Sequence, residues 1–229
     1  MNTHIAKTEH GQGAVEYALI AALIAVTVAL SLSATGTSVK DMFCIVASGL
    51  GAEELCGNTV AFSEDFSDIS DCEVAWGRWS IKDGKLHGSR WGGIFNKDFS
   101  GEDYTLTVGS ANLSQGNGYG IFFRAQDYDR PEGYIFQYDP GWGGGAFLFR
   151  KWVDGHEIHP FAVQRDSDFD WHGEDHEIQV KVEGDTYTAY VDGEEVLNAS
   201  DSTYQEGGVG FRVWDRTEVD FDDLSITTP

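Results

Sequence analysis

The chain has 229 residues, with 38 acids against 15 bases and a formal net charge of -23. A surface this acidic repels polyphosphate and anionic lipid headgroups alike, so nucleic acid is set aside as a partner. Three cysteines, with none of the close CxxC spacings of a zinc site, leave room for one disulfide and a leftover thiol.

Taken in chain order, the first strong signal is GQGAVEYALIAALIAVTVALSL, residues 11–32: an apolar run broken only by Thr27 and Ser31 and headed by the lone acid Glu16. As a helix, residues 13–32 would measure about 30 Å, the thickness of a hydrocarbon core. A carboxylate at that depth costs on the order of 3 kcal/mol, which an ordinary anchor has no reason to bear. A secretory signal is a poor match too, because residues 1–11 hold a single Lys7 offset by Glu9.

These residues resemble the Flp-type (type IVb, Tad) pilins in the order leader, Gly, then a mature end whose fifth residue is Glu followed by Tyr. The resemblance implies cleavage by a prepilin peptidase between Gly11 and Gln12, which makes Glu16 the fifth mature residue, with Tyr17 beside it. It also implies that Glu16 pairs with a neighbouring subunit's amino terminus as a helical homopolymer assembles. The expected path runs from the inner membrane, as prepilin, to an extracellular pilus. A leader over 1–11, a filament-core helix over 12–50 and a linker over 51–60 follow. The apolar positions Val39, Met42, Phe43, Ile45, Val46 and Leu50 continue a helical spacing to that linker. Cys44, Cys56 and Cys72 flank the junction, and a bridge from Cys56 to either of the others would staple it.

From residue 60 the character changes to short alternating runs punctuated by glycine. The pattern predicts strands at 60–62, 79–82, 85–88, 104–110, 118–126, 133–138, 146–152, 176–183, 186–191, 194–198, 207–215 and 218–226. Asp83-Gly84, Gly184-Asp185 and Asp192-Gly193 stand where two-residue hairpin turns need a positive φ. The fold class is therefore α+β: a long hydrophobic N-terminal helix, then an all-β antiparallel jelly-roll sandwich over 61–229.

The runs GYGIFFRAQD, GYIFQY, AFLFRKW, WHGEDHEIQVKVEGD, TAYVDGEEV, GGVGFRVW and VDFDDLSI are similar to the concanavalin A-like lectin/glucanase superfamily, in its laminin-G-like or 3-keto-disaccharide hydrolase branch. That architecture hosts lectins, glycosidases and structural modules, so the resemblance speaks to fold more than to activity. The E-x-D-x-x-E strand on which retaining glucanases of the superfamily place their carboxylates is missing from the sequence. The acid and histidine clusters around His156-Glu157, His159, His172, Glu174, Asp175 and His176 read as solvated loops. No catalytic residue is assigned.

A binding surface is better supported. In the runs at 120–124, 133–138, 146–152 and 207–215 both alternating sets carry large side chains, so the second face of that sheet is covered or used. With Phe123, Phe149, Phe211 and Val213 inside, Arg124, Gln137, Arg150, Trp152, Arg212 and Trp214 share the other face, and Trp91 and Trp142 rim it. Aromatic planes with Arg and Gln donors suit an extracellular glycan. No cofactor is required, although Glu64 and Asp65 on the first strand and Asp220, Asp222 and Asp223 on the last would suit calcium if the terminal strands pair. The readings to be separated are a pilus subunit displaying a lectin-like domain, a membrane-anchored glycan-binding or glycan-hydrolysing protein that never polymerises, and a structural sheath.

Overall fold

The computed structural model describes residues 59–229. The expected leader, the filament helix with Glu16 and Tyr17, the Gly11/Gln12 junction, Cys44 and Cys56 lie outside the described residues.

Thirteen strands are formed among the described residues. They are β1 (Thr59–Glu64), β2 (Cys72–Lys82), β3 (Lys85–Asn96), β4 (Tyr104–Gln115), β5 (Tyr119–Gln126), β6 (Glu132–Asp139), β7 (Ala146–Val153), β8 (His156–Glu157), β9 (Ala162–Arg165), β10 (Asp175–Glu183), β11 (Thr186–Val191), β12 (Glu194–Ser200) and β13 (Gly208–Thr228). Pairing follows the order β12-β11-β10-β4-β13-β5-β6-β7-β8, with β1 and β3 also on β13, β2 on β3 and β9 on β7. The result is an all-β antiparallel jelly-roll sandwich whose two layers are joined through β13.

Layer membership is set by one long bent strand. The C-terminal half of β13 pairs with β4 and β1, while its N-terminal half, Gly208 to Val213, pairs with β5. The two separate strands expected at 207–215 and 218–226 are thus one. They read as two because Asp215 and Arg216 sit at φ 48° and 64° and break the alternation, which shifts the register against β3 between Val213 and Thr217. The bend lets one strand contribute to both sheets.

The two layers differ in how they treat their second face. On β10 buried and exposed residues alternate, as in a sheet with one wet side. On β5, β6 and β7 nearly every residue is buried. Between the layers the β11 ring of Tyr187 meets Phe123 at 5.0 Å and Tyr134 at 4.7 Å, with Phe149, Phe211 and Val213 in the same core. Large residues on both alternating sets therefore reported a real second cover.

Turn chemistry agrees with the hairpins. Asp83-Gly84 and Asp192-Gly193 hold positive φ at both positions, as in type I′ turns. A third pair, Asp154-Gly155 at φ 56° and 76°, turns β7 into β8 in the same way. β2 extends seven residues earlier than expected, and β8 and β9 were not anticipated, being too short to show a period.

Candidate functional site

The site lies on the outer face of the layer built from β3, the N-terminal half of β13, β5, β6 and β7. Strand register places Trp76, Gly93, Arg212, Gly120 and Gln137 side by side across five strands. Gly93, Gly210 and Gly120 lack the side chains that would block this face; a Cβ on them would run into Trp76, Phe95 and Ile135 respectively. Over this bare floor Trp76 and Trp152 reach toward each other and stack at 6.0 Å. With Phe95, Phe122, Ala125, Ile135 and Tyr128 they form a second, smaller apolar cluster that seals part of the face.

The rest of the face is polar and centres on Glu157. Trp152 pairs with Glu157 across the β7–β8 ladder, so the Asp154-Gly155 turn carries the carboxylate back over the sheet. Its Oε1 accepts from Arg212 Nη1 at 2.8 Å and from the Gln137 amide, and lies 4.0 Å from Arg150 Nε. Arg212 is held between two indoles, its guanidinium 4.9 Å from the Trp152 ring and 4.7 Å from that of Trp214. Arg150 lies 4.5 Å from the Trp142 ring. Asp139 is buried beside them, and burial lifts its carboxyl to about 6, against the pull of Arg150 and of hydrogen bonds from the Trp142 and Gly141 backbone.

Three polar atoms here are buried without a hydrogen-bond partner: Gln137 Oε1, Arg150 Nε and Trp152 Nε1. One acceptor and two donors are thus left unmatched around a single carboxylate. Buried groups of this kind cost on the order of 1–3 kcal/mol each unless something bonds them.

Residues 63–227 match the model of the 3-keto-alpha-glucoside-1,2-lyase-like domain. The chain belongs to this family. A levanase of Bacillus subtilis (strain 168) is 30% identical over 125 residues, which are 52% of this chain but only 17% of the levanase. Among solved structures, the carbohydrate-binding module CBM66 of Bacillus subtilis superimposes with a TM-score of 0.61 at 21% identity, covering 72% of this chain and 100% of the module. A Bacillus licheniformis β-glucanase gives 0.59 at 13% identity, covering 75% of this chain and 99% of the other. At such identities the superpositions establish the sandwich fold and nothing finer.

In this member of the family, Gln137, Arg150, Trp152, Arg212 and Trp214 come together as the alternation implied, and Trp142 closes one side. Trp152 is 8% exposed, its ring faces taken by Trp76 and Arg212, so it braces the arginine and offers no open stacking plane. Trp91 is 59% exposed and stands away from Glu157, next to Trp76 at 6.1 Å.

Arg124 is a correction. It lies on the inner side, 1% exposed, because it takes φ 48° in a bulge where the β5–β6 register slips between Phe123 and Gln126. All five of its N–H donors are used: Nε and Nη2 on Glu102 O, Nη2 also on Gly184 O, and Nη1 on Tyr204 O and the Tyr187 hydroxyl. It locks three loops together and offers nothing to a ligand.

Glu157 is the opposite case: its local sequence predicts a solvated loop acid, and it is the hub of the site. The signal that locates it is Asp154-Gly155, the same dipeptide that marked two other hairpins. Asp139 also went unassigned, because nothing in its local sequence reports burial.

The terminal strands do pair, Glu64 opposite Leu224. Of their acids, Glu64 accepts from the Phe66 backbone N–H and Asp220 is bonded to His87 at 2.6 Å. Among the described residues no three His, Cys, Asp or Glu side chains form a metal-holding group. His176, where the strand predicted at 176–183 begins, is buried on β10 and bonded to Asp192 at 2.7 Å. Cys72 opens β2 half-buried, and burial pushes its thiol up to about 11.

Proposed function

We propose that the domain binds glycan by seating a sugar unit on the Glu157 floor, and that a pilin-like N-terminal segment displays it outside the cell. The observation that carries the first half is the Arg212–Glu157 pair on the outer face of the sheet, with the half-buried indoles of Trp214 and Trp142 beside it. A sugar hydroxyl donates and accepts at once. Neighbouring hydroxyls bond best where a guanidinium and a carboxylate stand side by side, as Arg212 and Glu157 do. The half-buried rings of Trp142 and Trp214 wall the site with apolar surface for sugar C–H groups.

Binding is favoured over hydrolysis by the state of Glu157. A carboxylate already bonded by Arg212 and Gln137 is a poor nucleophile, and the strand pattern that supplies paired catalytic acids in retaining glucanases is missing from the sequence. The levanase relative makes levan the first polysaccharide to test, followed by β-glucan. Isothermal titration of the full chain should give saturable binding to one of them and at least a tenfold loss in Arg212→Ala. Equal affinity in that variant, or no binding to any polysaccharide, overturns the reading.

Display as a pilus subunit is supported by GAVEYALIAALIAV with Glu16 five residues after Gly11. The partners in this reading are a prepilin peptidase, the inner membrane before assembly and further copies of the chain. Mass spectrometry of the surface-exposed protein should find a mature end at Gln12, and Glu16→Ala should insert but form no filaments. An intact Met1 would rule the pilin out and leave a membrane-anchored glycan binder.

A further inference from the structure

The bend where β2, β3 and β13 pass from one layer to the other leaves an aromatic surface with no role in the Glu157 floor. Trp91 is the most exposed of the large apolar side chains among the described residues, at 59%. Its ring lies 6.1 Å from Trp76, which stacks on Trp152 at 6.0 Å, which in turn faces Arg212 at 4.9 Å. The rings thus form an unbroken row from the sheet's edge to the guanidinium that holds Glu157. An uncovered indole gains nothing from water, and a row of them joined to a polar floor points to a continuing ligand.

Three bulges meet in register at the same bend: Gly77 on β2, Arg90 on β3 and Asp215-Arg216 on β13. Arg78, Arg90 and Arg216, all exposed, sit at or beside these bulges, where the backbone of Gly77 packs against that of Trp91. In a protein of net charge -23, none of these three has a carboxylate in ion-pair range among the described residues. Their donors are free for hydroxyl and ring oxygens.

Resting on the glycan-binding reading above, we propose that Trp91, Trp76 and the three arginines form a second sugar subsite. A chain seated at Glu157 continues over it, so the ligand is an oligosaccharide several units long. The occupant is more of the same glycan, because the row is continuous with the floor and lies on the same face.

Graded oligosaccharides cut from levan, and a second series from β-glucan, titrated into the full chain, test this. For the wild type, affinity should climb with length by at least tenfold. In Trp91→Ala the climb should vanish, while the shortest binding member keeps its affinity within twofold. A length dependence that survives Trp91→Ala, or one absent from the wild type while short sugars still bind, overturns the subsite and leaves the floor standing. If no member of either series binds either protein, both readings fall. Arg90→Gln should remove part of the length dependence without touching the shortest ligand, and an unchanged profile would count against the arginines' share.

Discussion

Arg124 and Arg212 occupy opposite faces of one sheet layer, each against aromatic rings, and their hydrogen bonds tell them apart. Arg124 spends all five donors inside the protein, four of the five contacts going to backbone carbonyls, while Arg212 makes one bond among the described residues, to Glu157. A saturated arginine stabilises the fold, whereas an unsaturated one stands ready for something else. Side-chain chemistry is identical in the two cases; what differs is whether the surrounding backbone consumes the donors.

The largest expected effect breaks the inner arginine. Arg124→Met should cost about 3 kcal/mol or more in a denaturant titration, because it strands the buried Tyr204 carbonyl and Tyr187 hydroxyl and removes the bonds to the part-buried carbonyls of Glu102 and Gly184. Arg212→Met should cost no more than about 1 kcal/mol, since Glu157 keeps Gln137 and Arg150, yet it should remove glycan affinity. Equal losses of stability would erase the contrast.

Next comes pH, where the outer face should show opposite trends in stability and binding. Burial raises the Asp139 carboxyl to about 6, so between the ordinary carboxylate range and pH 6 the unfolded chain has released its proton and the native one has not. Stability should then fall as pH rises through that window, by at most about 3 kcal/mol. Affinity should rise over the same window, as Asp139 becomes an ionised acceptor beside Arg150. Asp139→Asn should flatten both curves, and a wild-type affinity that is level from pH 4.5 to 7.5 would remove Asp139 from the site.

The smallest effect concerns the turn that delivers Glu157. Gly155 at φ 76° has open space for a Cβ, its nearest neighbour being Arg130 Cα at 3.6 Å, so Gly155→Ala suffers only from the left-handed backbone, about 1 kcal/mol. Because β8 is two residues long, that strain should loosen Glu157 more than the fold. The variant should lose several-fold in glycan affinity while its melting point moves by only a few degrees.

Much of the sandwich could be read from residues alone, and the exceptions share one cause. Alternation identified the core side of Phe123, Phe149, Phe211 and Val213 and grouped Gln137, Arg150, Arg212 and Trp214 opposite, because side chains on a regular strand change face at every step. The rule failed at Arg124 and at Asp215-Arg216, where a residue in the left-handed region inserts an extra half-step. Nothing in the identities of these residues announces a positive φ, unlike Asp83-Gly84 or Asp192-Gly193. Glu157 was within reach through Asp154-Gly155, but a two-residue strand beyond the turn has no period to detect. Asp139 depends on what lies above it in three dimensions, which no local pattern carries.

One strand has a mechanical consequence. β1 zips onto the C-terminal end of β13, Thr59 opposite Thr228, and the same unbroken strand carries Arg212 at its other half. A tug entering at Thr59 while a sugar is gripped at Glu157 would pass through the β1–β13 ladder into the strand that carries Arg212, and that ladder would be the first element to feel the strain.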